Sequence, residues 1–163
     1  MDLENLEVIQ VDYNNPKHAR DLVFMMDVYA SDIMGGGKLL TLEVKKNLVT
    51  ELTKIKQAFS VLVYREQEPL ALANCFYGFS TFKCKPLVNI HDFVVLDSHR
   101  GRGLGQLLLQ HIEDIAKQSD CCKITLEVLE GNTSAQKAYA KFGFGAYQLD
   151  PAAGKALFWE KGL

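Results

Sequence analysis

Residues 94–116, VVLDSHRGRGLGQLLLQHIEDIA, run from an apolar strand-like stretch through two arginines and three alternating glycines into a helical pattern. This stretch restricts the fold most, because a strand must hand over to a helix within a short glycine turn. Leu104, Leu107, Leu108, Ile112 and Ile115 mark one face of that helix. The first amides of a helix have no internal partner and carry the positive end of its dipole. Glycine lets the backbone approach an anion with no Cβ in the way, and Arg100 and Arg102 add positive charge. The turn Arg100-Gly101-Arg102-Gly103-Leu104-Gly105 therefore reads as a cradle for a phosphate or pyrophosphate.

Around this turn the apolar spacing alternates between strand and helix periods. Leu6 to Val11 reads as a first strand, and Asn15-Pro16 as an N-cap with proline at the first helical position. Ala19, Leu22, Val23 and Met26 carry a first helix to about Ala30, which Met34-Gly35-Gly36-Gly37 must break. A second helix with Leu48, Leu52 and Ile55 on one face ends near Lys56. Phe59 to Arg65, Leu70 to Phe79 and Leu87 to Leu96 are strands, the first two joined by a hairpin-type connection. Ile124, Leu126 and Val128 return to strand period, and Ala135, Ala138, Tyr139 and Phe142 to helical spacing. Two short strands, about Ala146 to Leu149 and Ala156 to Glu160, close the chain. The order β-α-α-β-β-β-α-β-α-β-β predicts an α/β fold, a mixed central sheet of about six to seven strands with helices on both faces. No repeat or linker divides the 163 residues, so residues 1–163 are expected to form a single domain.

Charge and composition exclude several classes. A net charge of -2 leaves no cationic excess to neutralise phosphates along a nucleic acid. No apolar run approaches about 20 residues, which argues against a membrane-spanning helix. The N-terminus, MDLENLEVIQ, lacks the basic start and long apolar run of a secretory leader. Cys75, Cys84, Cys121 and Cys122 form no C-x-x-C pair and no zinc framework, so reduced thiols, a cytoplasmic location and no metal are expected.

The phosphate ligand can be narrowed by spacing. A Walker A loop needs Gly-Lys-Ser/Thr, and here Gly105 precedes Gln106-Leu107. The dinucleotide fingerprint needs G-x-G-x-x-G, whereas this turn is G-x-G-x-G. The pattern Arg-x-x-Gly-x-Gly after a strand instead resembles the pyrophosphate-binding motif of the GNAT superfamily of acyl-CoA N-acyltransferases. A second element similar to that family lies downstream: Leu126-Glu127-Val128, Asn132, Ala135, Ala138-Tyr139 and Phe142-Gly143-Phe144. The resemblance covers nearly the whole chain, and most strongly Val94 to Phe144.

That resemblance implies an N-acetyltransferase using acetyl-CoA as cosubstrate, with direct attack of an acceptor amine in a ternary complex. It implies that main-chain amides of Phe93, Val94 and Val95 meet the pantetheine arm and thioester. The diphosphate would lie on the amides of Arg100, Gly101, Arg102, Gly103, Leu104 and Gly105. Asn132 matches a cofactor-contacting position and is also suited to cap the following helix. Tyr139 matches the family's tyrosine, whose phenol can protonate the departing thiolate; it also fits the apolar face of its helix. His91 stands where polyamine acetyltransferases, among other members, carry a glutamate base. It is either a proton relay or a histidine hydrogen-bonded within the sheet. Strand period two predicts His91 and Asp92 on opposite faces.

The two early helices and their connection usually form the acceptor wall in this fold. Asp27, Tyr29, Asp32, Asp92 and Met34 to Gly37 are candidates there, and Phe79 and Phe82 are candidates for an aromatic rim. The aspartates are either a solvated helix face or a means of attracting a cationic amine. The expected partners are a small-molecule or peptide amine and, by family habit, a second copy in a homodimer. The competing reading is a non-catalytic acyl-CoA-binding regulatory module.

Overall fold

The computed structural model describes residues 5–147, 150, 152, 154 and 156–163. The chain falls into two compact units, residues 1–126 and 127–163. The first unit contains β1 (Leu6–Gln10), α1 (Pro16–Ser31), α2 (Leu42–Leu52), β2 (Ala58–Arg65), β3 (Glu68–Ser80), β4 (Lys85–Val95), α3 (Leu104–Gln118) and β5 (Ile124–Leu126). The second contains α4 (Thr133–Phe142). Among the described residues no helix is long and apolar enough to cross a membrane.

The strands form one mixed sheet in the order β1-β2-β3-β4-β5. The first four are antiparallel neighbours, and β5 joins β4 in parallel. Five strands among the described residues is fewer than the expected six to seven. Residues 156–160 are irregular rather than a strand, and Ala146 and Tyr147 are also non-strand. Gln148 and Leu149, the rest of the other expected strand, lie outside the described residues.

Local chemistry sets the element ends. The Asn15 side chain accepts the Lys17 N–H at 2.9 Å and caps α1 ahead of Pro16. After α1 a 3-10 turn over Ile33–Gly35 ends in Gly36 at φ 118°, a conformation only glycine adopts without strain. Glu66 and Gln67 both take positive φ, 48° and 79°, the twist that joins β2 to β3 as a tight hairpin.

Both faces of the sheet are covered. Leu62, Leu72 and Val94 point to one face and pack with Leu22 and Met25 of α1 and Leu52 of α2. Alternate residues Val61, Val63, Ala71 and Ala73 point the other way and are fully buried. On that side α3 lies across β2, β3 and β4, burying Leu104, Leu108, Leu109 and Ile112. Leu104, Leu108 and Ile112 of the face read from the sequence are buried here, whereas Leu107 and Ile115 are half-buried and Leu109 and Ala116 are buried as well.

Leu72 is fully buried at the centre of the sheet. Leu72→Ala is expected to cost about 2–5 kcal/mol, read in urea unfolding as a lower midpoint with an unchanged slope.

Candidate active site

The site is organised by one extra residue in β4. Asn74 of β3 pairs with Asp92, but its neighbour Cys75 pairs with Ile90, so His91 is inserted as a β-bulge. Two consequences follow. The first corrects the expectation from period two: His91 and Asp92 are not on opposite faces. Asn74 donates to Asp92 Oδ2 at 2.9 Å, while the His91 ring meets Phe76 edge-on at 5.6 Å. Asn74 and Phe76 are two apart on β3 and share a face, and Phe76 packs on the α1–α2 side. The bulge therefore brings imidazole and carboxylate to one side of the sheet.

The second consequence concerns main-chain amides. The Val88 N–H reaches Lys123 O on the β5 side at 3.1 Å, whereas the Leu96 N–H reaches Leu70 O on the β3 side at 2.9 Å. In an unbulged strand these two amides, an even number of residues apart, would face the same edge. Past the bulge the alternation turns Phe93 and Val95 N–H away from β3 and Val94 N–H toward it. The last β4–β5 pair is Ile90 with Leu126, yet β4 continues to Val95. Phe93 and Val95 thus lie where the sheet's edge is no longer covered by β5. The Val94 side chain is buried in the core.

The glycine turn follows a short 3-10 turn at Asp97–His99. Gly101 and Gly103 adopt φ of 71° and 90°. Gly103 is the N-cap of α3 and supplies no side-chain acceptor to its opening amides around Leu104 and Gly105. A Cβ on Gly101 would meet nothing within 4 Å; its glycine is required by backbone angle rather than by crowding. These features fit a diphosphate held by main chain.

The arginines divide. Arg100 donates to Asp32 Oδ2 at 2.6 Å, to Val95 O at 3.2 Å, and lies 3.3 Å from Asp97. It is a clamp between the end of α1 and the turn rather than a mobile cation. Arg102 is exposed. The Arg100 guanidinium, helped by the Met34 N–H, holds the Asp32 carboxyl below the usual carboxylate range.

Among the acceptor-wall candidates, Tyr29 lies within electrostatic reach of both Asp92 and Asp32, and burial and these carboxylates push its phenol up. Asp27 is paired with Lys45 at 2.7 Å and accepts the Leu40 N–H at 2.9 Å, which ties the α1–α2 connection. Phe79 and Phe82 are exposed at the far end of the β3–β4 hairpin. Phe79 pairs with Pro86, six residues along β4 from Asp92, or roughly 20 Å. In the second unit Asn132 caps α4 by accepting the Ala135 N–H at 3.2 Å. Tyr139 stands on α4, half-buried, with its ring 5.9 Å from that of Phe144. Sequence reading missed Ser60 and Asn74, buried polar residues inside apolar strands. A polar side chain at mid-strand in ALANCF was the available signal.

The family model described as Acetyltransferase (GNAT) family matches residues 37–144, more than half of the chain. A streptothricin acetyltransferase of Streptomyces lavendulae is 37% identical over 65 residues, 40% of this chain and 34% of that protein. A thialysine N-epsilon-acetyltransferase of Bos taurus is 28% identical over 83 residues, 51% of this chain and 47% of that protein. The chain thus spans less than half the length of these curated relatives. An integron cassette protein from the mobile metagenome of V. cholerae has a similar solved structure, with TM-score 0.80 and 21% identity, covering 97% of this chain and 93% of that one.

Asp32 carries a pH prediction. Its folded pKa is depressed, so its pairing stabilises the fold above about pH 4 and is lost as pH falls through the lower folded value. Asp32→Asn is expected to narrow the stability gap to the wild type as pH is lowered, measured by urea unfolding from neutral pH down to about pH 2.

Proposed function

The chain belongs to the GNAT acetyltransferase family, and from that premise we propose that it is an N-acetyltransferase. Acetyl-CoA is the cosubstrate, and the acceptor is a primary amine of a small molecule or peptide that attacks directly in a ternary complex. The observation that carries this reading is the turn at the head of α3: left-handed Gly101 and Gly103, an N-cap without a side chain, and β4 outrunning β5 just before it.

Acetyl-CoA supplies an acyl group already activated as a thioester. The chain supplies position and proton handling. Main-chain amides of Arg100 to Gly105 would hold the diphosphate, with Asn132 a further contact. Phe93 and Val95 N–H would meet the pantetheine arm and the charge that develops on the acyl oxygen; Val94 braces them from the core. His91 is assigned to take the proton from the attacking amine, with Asp92 beside it on the same face. Tyr139 is assigned to give a proton from its hydroxyl to the departing sulfur. Tyr29, Asp27 and Asp32 contribute to the acceptor wall, the two aspartates through their ion pairs. Phe79 and Phe82 would form a rim only for an extended acceptor. The relatives' names support the amine chemistry, one naming an N-epsilon transfer to thialysine.

The deciding experiment combines calorimetry with a thiol-release assay across an amine panel. Coenzyme A is expected to bind, and thiol release to require an amine. Binding without release would make the chain a sensor, and no binding at all would end the reading. Tyr139→Phe should lower kcat by about a hundredfold with coenzyme A affinity unchanged; equal turnover would remove Tyr139 from the chemistry. In the pH–rate profile His91→Gln should abolish the descending acidic limb, and an unaltered profile would return His91 to a structural role.

A further inference from the structure

The carboxylates near α1 differ in how they are held. Asp27 and Asp32 each face a cation, Lys45 and Arg100, at 2.7 and 2.6 Å. Their charges are cancelled locally. Among the described residues Asp92 takes part in no salt bridge, and its hydrogen bond comes from the neutral amide of Asn74. A carboxylate held by a neutral donor keeps its full negative field.

The donor itself is one link in a directed chain. A carboxylate oxygen can only accept, so the Asn74 amide nitrogen must face Asp92, which turns Asn74 Oδ1 toward Ser60. Ser60 Oγ donates its single proton to that oxygen at 2.6 Å. Ser60 then has no proton left for Tyr13, so the Tyr13 hydroxyl is the donor in their 2.9 Å contact. Every bond in the series Tyr13, Ser60, Asn74, Asp92 points the same way. Ser60 is 0% and Asn74 3% exposed, and bonds aligned in such surroundings polarise one another. The series ends on Asp92 Oδ2. Tyr29 from α1 and His91 from β4 itself share that face with Asp92, while Cys75 of β3, on the sheet's other face, lies within electrostatic reach. Burial pushes both the Tyr29 phenol and the Cys75 thiol up, and the Asp92 charge adds to each. Both stay neutral at physiological pH, and Asp32, beyond Tyr29, is occupied by Arg100.

We propose that Asn74 is the positioning residue of acceptor specificity. Fed by Ser60 and Tyr13, it holds Asp92 as an uncancelled carboxylate beside His91, and the site thereby selects acceptor amines that carry a second positive charge. This rests on the reading of β4 as the acceptor side of a transferase.

Three amines of similar length test it: cadaverine with a cationic tail, pentylamine with a neutral one, and δ-aminovalerate with an anionic one. The readouts are KM and kcat from thiol release, and Kd from calorimetry in the presence of coenzyme A. The wild type should prefer cadaverine to pentylamine by about tenfold or more and reject δ-aminovalerate. Asn74→Leu should raise KM and Kd for cadaverine by about tenfold, with a clearly smaller change in the pentylamine values. Tyr13→Phe removes only the first donor, keeps the fold, and should shift the same values in the same direction by about twofold. An unchanged cadaverine Kd in either variant overturns the proposal. So does an equal loss for all three amines, which would mark a purely structural role. If Asn74→Leu fails to fold, the Tyr13→Phe result decides alone. Charge-selective binding with no thiol release would sink the transferase reading and leave this inference standing. Release from all three amines without charge preference would do the reverse.

Discussion

The inserted residue at His91 is the constraint on which the candidate site depends. A strand has two alternations, one of side chains between faces and one of amides between edges, and a single extra residue shifts both. Upstream of it β4 offers amides to β5; downstream Phe93 and Val95 face an edge that β5 has already left. The same insertion gathers His91, Asp92, Asn74 and Phe76 on one face. Without the bulge, His91 and Asp92 would lie on opposite faces and the Phe93 and Val95 amides would face β3.

A second tie fixes the turn relative to the end of α1. Arg100 bridges Asp32 at the end of α1 to Val95 O at the end of β4. Its exposure is substantial, so the pair contributes modest stability. Its effect is geometric: the connection after α1, with its 3-10 turn and Gly36, is held against the segment that leads into the glycine turn. The Arg100 charge faces Asp32, and the opening amides of α3 carry the positive end of that helix's dipole.

Several elements were legible for a simple reason. Asn15-Pro16, the glycine turn and Asn132 are local signals, satisfied by atoms within a few residues. The apolar stripe of α3 was equally readable, because Leu104, Leu108 and Ile112 all face the sheet. Where strand patterning failed, at residues 156–160, alternation existed but pairing did not. Alternation states that a segment can pair, and pairing needs an edge supplied from elsewhere in the chain. The pairing of Arg100 was not readable either, since its partner Asp32 lies 68 positions away.

From its residues alone the chain specified its helices, the glycine turn at residues 100–105, and the family that this turn and the pattern downstream resemble. Each of these depends on interactions that close within one helical turn or one strand period. The tertiary structure decided the shared face of His91 and Asp92, the end of β5 pairing before Phe93 and Val95, and the Tyr13–Ser60–Asn74 series behind Asp92. Those depend on the register between β2, β3 and β4, and a register is a relation between strands that no single strand carries.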